Sequence, residues 1–347
     1  MHKLAWLAVS LLAFAGFAGS ACYADKSETA PVVAPAATAR TYKHLGPVEV
    51  LDNGVVTLGV ALKIGRIVSY QRKAAGEANW LGVVDEAAIP SWHWNPYGGD
   101  RIWPTSQLIN PQIYKNGGWD PVIDGQPWEM LKRTPTSIEF RSGLSPQLGI
   151  RVTRHIELKE GSADVLHTVV VEKLKPSQWP VHVWAVTGLR KDVTGEPEGS
   201  RYFLLDNSPT VPHPDYLTYK LWPETPPKPK IFPMKELQTL HVAWAEKNLK
   251  AGTYGKWIAF ICGNSAFLQT VAYDSNALYL EASNLQVYMM RDRQVYEIET
   301  LSPTWNMTEG ETKTWQIHWQ LVDLPTDGTT VEARASFLKT QAAMAGK

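Results

Sequence analysis

The chain has 347 residues, with 34 basic and 34 acidic side chains and a formal net charge of zero. No basic stripe or charge block is present, which argues against a nucleic-acid partner. With 44% hydrophobic residues, 15 Trp and two Cys, the chain can build a large core but not a disulfide framework.

Residues 1–24 read as a secretory signal peptide. His2 and Lys3 precede an apolar run over 4–17, and small residues follow. The run is too short for a comfortable membrane span and has no stop-transfer flank. Cleavage is expected after Ala21 or Ala24, giving an exported, periplasmic protein. Gly19-Ser20-Ala21-Cys22 is a weak lipoprotein box, so a lipid anchor at Cys22 is the alternative to its removal. In either case Cys262 keeps no intramolecular partner. Its apolar surroundings predict a buried, inert thiol. Residues 25–40, rich in Ala, Pro, Thr and Val, are expected to form a disordered linker. A β-sandwich domain is expected over 41–325, and a helix and tail over 326–347.

The β pattern begins near residue 48. Asp52-Asn53-Gly54 is a turn signal, followed by strands at 55–60 and 64–70 and a candidate at 80–84. Strands resume at 137–140 and at 150–158, where Ile150, Val152, Ile156 and Leu158 share one face. Arg154 falls on that apolar face, either paired in the interior or at the sheet rim. After the turn Glu160-Gly161-Ser162, residues 163–173 are apolar on both faces, as a central strand would be. In 181–189, His182 and Trp184 face away from Val181, Val183 and Ala185. Residues 209–233 hold eight prolines and read as a long extended loop, or as an arm over a sheet edge. A short helix is expected at 235–249. Further strands are expected at 257–262, 267–273, 278–280, 287–290, 295–301 and 312–322, and a terminal helix at 329–342. Many strands, little helix and no βαβ alternation predict an all-β antiparallel sandwich in one domain.

Residues 91–130 contain five of the 15 Trp: Trp92, Trp94, Trp103, Trp119 and Trp128. The segment shows neither strand nor helix periodicity and reads as a structured loop. Flat indole faces beside Asp100, Arg101 and Gln107 suit a sugar, which has apolar C–H faces and a rim of hydroxyls. The alternative is that these Trp seal one end of the sandwich. Gly98-Gly99 lets the backbone turn sharply before Arg101 and approach a ligand closely.

Three segments resemble the galactose mutarotase-like superfamily, the aldose 1-epimerases and their relatives. They are Gly65-Arg66-Ile67-Val68-Ser69-Tyr70, Gly98-Gly99-Asp100-Arg101-Ile102-Trp103-Pro104, and Tyr296-Glu297-Ile298-Glu299-Thr300-Leu301-Ser302-Pro303 with Glu309-Gly310-Glu311-Thr312 after it. The aromatic loop resembles in particular that of an exported bacterial branch. The resemblance implies a large β-supersandwich with a concave sugar-binding face and no cofactor. It also implies a His acid that protonates the ring oxygen and a Glu base that takes the anomeric proton. His182 and either Glu297 or Glu299 match those roles in order along the chain, and Arg101 matches a substrate-anchoring Arg. The Asn-His context of the epimerases is absent around His182, so the fold carries over better than the activity.

The residues themselves set out the same candidates. Glu297 and Glu299 lie two apart in a strand, so they face one way at roughly 6.5–7 Å. Carboxylates that close raise one another's pKa, which suits acid–base work; the alternative is a solvated strand face. His182 with Trp184 offers an acid beside a sugar platform, or a half-buried, hydrogen-bonded His. His93 is a second candidate acid. Trp92, Trp94, Trp103 and Trp184 are candidate stacking walls, with Asp100 and Glu299 as further ligand contacts. The His residues lack zinc-ligand spacing, and no P-loop, dinucleotide fingerprint or nucleophile elbow is present, so no metal or cofactor is expected. Three readings follow: a mutarotase-like isomerase, a non-catalytic glycan-binding protein on the same scaffold, and a structural envelope module whose Trp are all core.

Overall fold

The computed structural model describes residues 45–74, 78–83, 98–115, 118–190, 201–207, 220–222, 225, 229–243, 248–290, 295–326 and 330–345. The signal-peptide and linker segments, Trp92, His93 and Trp94 lie outside the described residues.

Nineteen strands are formed among the described residues. The first ten are β1 (Val48–Asp52), β2 (Val56–Ala61), β3 (Arg66–Arg72), β4 (Asp100–Trp103), β5 (Glu129–Arg133), β6 (Ser137–Arg141), β7 (Ile150–Leu158), β8 (Asp164–Lys173), β9 (Trp184–Gly188) and β10 (Arg201–Asp206). The others are β11 (Lys220–Leu221), β12 (Ile231–Met234), β13 (Thr239–Ala243), β14 (Leu249–Thr253), β15 (Trp257–Cys262), β16 (Ser265–Val271), β17 (Leu285–Met290), β18 (Val295–Leu301) and β19 (Thr312–Asp323). The helices are α1 (Asn110–Ile113) and α2 (Val331–Ala345). One sheet has nine strands in the order β1-β2-β3-β4-β9-β18-β17-β14-β11. The other has ten, in the order β12-β13-β10-β15-β16-β19-β8-β7-β6-β5. Every pairing between these strands is antiparallel.

The main core draws residues from both sheets, among them Leu58, Ile102, Ala185, Val287 and Ile298 from the first and Phe140, Val152, Val169, Phe267 and Trp319 from the second. Period-two alternation decides which side chains enter it and which face away. In β7, for example, Ile150, Val152, Arg154, Ile156 and Leu158 are buried while the residues between them keep some exposure. A second cluster lies on the opposite face of the ten-stranded sheet, where Ala335, Leu338 and Ala342 of α2 pack on Leu204, Ala259, Ile261 and Leu268.

Several expected elements change. The helix expected at 235–249 is a 3-10 turn at Lys235–Leu237 followed by β13. Leu240 and Val242 enter the core at strand spacing, and that burial outweighs the helical propensity around them. The strand expected at 278–280 does not form. Of the strand expected at 80–84, the described residues 80–83 supply isolated pairings, Leu81 with Leu189 and Val83 with Gly98. β8 alternates between buried and half-buried residues rather than being buried on both faces, although it does lie inside its sheet. The proline-rich segment contributes the edge strands β11 and β12, one to each sheet. Pro233 is tolerated there because an edge strand need not use every N–H. Cys262 is buried and free.

Candidate functional site

β4 is the strand around which the polar residues gather. Its four residues alternate, sending Asp100 and Ile102 towards the core and Arg101 and Trp103 to the face opposite it. Gly98 and Gly99 lead into it with φ of 72° and 69°. A Cβ at Gly98 would stand 2.1 Å from the Gly82 carbonyl oxygen, and one at Gly99 2.4 Å from that of Ile67. The glycine pair therefore serves backbone packing against neighbouring segments, not approach to a ligand.

Asp100 was expected to contact a ligand, but it is fully buried between the sheets. Its carboxylate is ion-paired with Arg154 of β7, and it accepts a 2.8 Å hydrogen bond from Thr187 Oγ1. Gln269 Nε2 donates to the same Thr187 hydroxyl at 2.9 Å. Arg154 Nε donates to His167 Nε2 at 3.1 Å, and Arg154 Nη1 to the carbonyls of Gly65 and Asp100. This network links the two sheets and is structural. Arg154 is thus paired in the interior, one of the two alternatives open for it.

The opposite face of the nine-stranded sheet carries the other candidates. β18 pairs with β9 so that Glu297 lies opposite Gly188 and Glu299 opposite Val186, while Val186 also faces Arg101 of β4. Arg101 Nη2 meets Glu297 Oε1 at 3.1 Å, and Arg101 Nε lies 4.0 Å from Asp124 Oδ2. Asp124 also accepts 2.8 Å bonds from Arg66 Nη2 and Trp103 Nε1. Glu299 takes the Lys250 ammonium at 3.1 Å on each oxygen and the Trp184 indole N–H at 2.9 Å. Burial acts to lower the Arg101 pKa, but Glu297, Asp124 and Glu299 outweigh it and hold the guanidinium above its ordinary value. Burial pushes the Glu299 carboxyl up, Glu297 adds to that, and Lys250 pulls the other way. The Glu299 side chain is 1% exposed and that of Glu297 7%, so Glu297 is the more open of the two.

The Trp residues are walls more than platforms. Trp103 and Trp184 pack edge to face at 5.4 Å, with Trp119 against them, and both are nearly closed to solvent. Trp119, Trp222 and Tyr288 keep some exposure, and the last two flank Lys250 at 5.1 and 5.6 Å. Trp128, the last of the five in the loop, lies over Gly65, where a Cβ would meet its indole at 2.2 Å.

His182 is 1% exposed and stands edge-on to Trp184 at 6.0 Å. Its ring nitrogens have no side-chain partner; the hydrogen bond it makes is to the Thr105 backbone. Burial lowers its pKa to about 4, against the opposing influence of Glu281 and the nearby Thr105 backbone. His182 and Glu297 are not brought together. Glu297 is in register with Gly188, six residues along the chain from His182, which is about 20 Å at strand rise. The acidic neighbour of His182 is instead Glu281, in the turn before β17. Ser106 Oγ and the Gln107 N–H bond to Glu281 Oε1, the latter at 2.9 Å. The next residue, Ala282, has φ of 52°, a left-handed conformation that costs a residue with a Cβ roughly 1–2 kcal/mol.

Sequence reasoning placed Arg66 only within a motif of the resemblance and did not single out Asp124, Lys220, Lys250, Trp222, Glu281 or Tyr288. Lys250 had a local signal, since it interrupts the buried pair Leu249 and Ala251 at strand spacing. Nothing local marked Glu281. Among the described residues no cluster of His, Cys, Asp and Glu suits a metal ion, and no helix is long and apolar enough to cross a membrane.

No protein-family model and no curated protein matches this chain. Solved structures do. The Slr1438 protein of Synechocystis sp. PCC 6803 aligns with a TM-score of 0.54 and 9% identity, covering 80% of this chain and 96% of its own. An aldose 1-epimerase candidate from Escherichia coli K12 aligns at 0.53 and 10% identity, over 80% of this chain and 99% of its own. A galactose mutarotase related enzyme from Lactobacillus acidophilus aligns at 0.50 and 11%, over 81% and 99%. The fold is the galactose mutarotase-like β-sandwich. At these identities the similarity concerns the fold alone.

Proposed function

We propose that the face of the nine-stranded sheet turned away from the core binds a carbohydrate, without the acid–base chemistry of a His182–Glu297 pair. The observation that carries this reading is the pair of neighbouring ion pairs, Arg101–Glu297 and Lys250–Glu299, standing on that face beside indole rings. A sugar hydroxyl both donates and accepts, and such side-by-side cations and carboxylates supply both partners. A purely structural module accounts for the buried Trp but gives no reason for cations and carboxylates on the face away from the core. Mutarotation would need an acid and a base at one sugar carbon, and His182, two residues before β9, lies too far from Glu297. The other candidate acid, His93, is outside the described residues. Arg101 and Glu297 are the anchoring groups, with Lys250 and Glu299 beside them. The site works without cofactor, in a protein exported by its first 21 to 24 residues. Intact mass of the native protein checks the export step, and a retained Met1 would contradict it.

Calorimetry against mono- and oligosaccharides tests the site. Arg101→Ala is expected to weaken binding by about 1.5–3 kcal/mol, the range for hydrogen bonds to a charged group. Equal affinity in wild type and variant would remove the proposed site. Polarimetry tests the absence of chemistry: acceleration of mutarotation that Glu297→Gln abolishes would restore the isomerase reading.

A further inference from the structure

The two ends of this face are built differently. At one end Arg101 and Glu297 form an ion pair. At the other, Glu281 Oε2 is buried without a partner, and the His182 ring has only the Thr105 backbone. Gln286 Oε1, on the strand next to β18 and in register with Glu299, is also unpartnered. Glu281 is completely buried and His182 is 99% buried. Buried polar groups in native proteins are almost always matched, so a cluster of unmatched ones calls for a partner. The nitrogens of a neutral imidazole are one donor and one acceptor, and a carboxylate oxygen is an acceptor. With the ring N–H spent on the Thr105 backbone, the acceptors left over ask for a hydrogen-bond donor, which a neutral hydroxyl supplies. An anionic group would meet the Glu281 carboxylate. A cationic one would meet Lys220, whose ammonium donates to the Glu281 carbonyl at 2.9 Å and lies 3.9 Å from the Trp222 ring centroid.

The span between these ends decides the size of the ligand. Gly188, opposite Glu297, lies six residues from His182, about 20 Å along an extended strand. One sugar ring cannot touch both ends. Between them lie Lys250 and Glu299, so the row of polar groups is continuous. We infer that His182 and Glu281 form a second subsite, and that the ligand is an uncharged oligosaccharide with one unit at Arg101–Glu297 and another at His182–Glu281. This inference rests on the carbohydrate-binding reading and adds to it the length of the ligand and the residues that measure it.

The experiment is calorimetric titration of the mature chain with gluco- and galacto-oligosaccharides of increasing length, from the monosaccharide upward. Affinity is expected to rise by roughly tenfold or more once the chain spans both ends, the gain from one further hydrogen-bonded unit. Glu281→Gln and Lys220→Ala are expected to remove that gain with length, whereas Arg101→Ala weakens every member of the series. Thermal melts of each variant check that it folds. NMR of the wild-type histidine side chains is a reading that needs no variant: the His182 ring should shift with the long saccharide and not with the monosaccharide. Affinity that does not change with length would overturn the second subsite and leave the Arg101 site standing. So would a gain in affinity that survives Glu281→Gln, or a His182 ring that the long saccharide does not shift. Absence of binding by any member of the series would overturn both readings.

Discussion

Removing Arg154 would leave the Asp100 carboxylate inside the sandwich without its counter-charge. Burial already raises the Asp100 pKa, with Arg154 and Thr187 opposing it. Arg154→Met is therefore expected to cost about 3–5 kcal/mol, and pairing it with Asp100→Asn should recover much of that loss. A urea-unfolding double-mutant cycle measures the coupling, and additive losses would show that the two residues act independently. His182 supplies a pH dependence. Its pKa falls from 6.5 in the unfolded chain to about 4 in the fold, so unfolding takes up a proton between those values. Its contribution is present above pH 6.5 and is lost as pH falls towards 4. His167, also lowered by burial, acts in the same direction; Asp100 and Glu299, both raised, act in the opposite one at higher pH than their unfolded values. His182→Phe should therefore lose about 2 kcal/mol less than wild type between pH 7 and pH 5. Urea midpoints at the two pH values check this, and parallel losses would mean that His182 is not buried neutral. At this scale the sequence was partly legible. The misplaced charge of Arg154 on an apolar face allowed an interior pair or a place at the sheet rim, and the pairing could not be chosen because its partner lies 54 positions away.

β4 is the element that joins the interior network to the outer face. Four residues place Asp100 on one side and Arg101 and Trp103 on the other, so a shift of the strand disturbs both. Gly99→Ala forces a Cβ to 2.4 Å from the Ile67 carbonyl at a left-handed backbone position. It is expected to cost at least about 2 kcal/mol in stability and to weaken saccharide binding as well. Unfolding and calorimetry on the same variant check this, and a stable variant with wild-type affinity would show that β4 does not need the glycine. Alternating strands such as β7 and β19 were legible because each buries one face continuously, and β15 because its six residues form an unbroken apolar run buried on both faces. β4 was not, because four residues hold too few alternations to stand out from an aromatic loop. β13 reads as helix from the sequence for a similar reason, since only Leu240 and Val242 carry its period.

The whole molecule brings together residues that the chain keeps far apart. Arg101 and Glu297 are 196 positions apart, and Lys250 and Glu299 are 49 apart. Strand order explains why. β4, β9, β18, β17, β14 and β11 lie side by side, so side chains from chain segments far apart in sequence form one row on a single face. The resemblance of the Glu297–Glu299 strand pointed to that face. The row itself could not be seen without the sheet order, which is why Lys250 and Glu281 were missed. A ligand held by so many separate strands must favour the folded state as a whole. At a hundred times its dissociation constant it adds about 2.7 kcal/mol to unfolding. For a domain of this size that amounts to a rise in Tm of several degrees. The rise should grow with ligand concentration in wild type. In Arg101→Ala it should shrink at matched concentration, because one anchor of the row is gone. A scan of Tm against saccharide concentration, with both proteins side by side, makes the measurement. If both proteins gain the same number of degrees, the bound sugar is on some other surface, and the ion pairs of the outer face serve the fold alone.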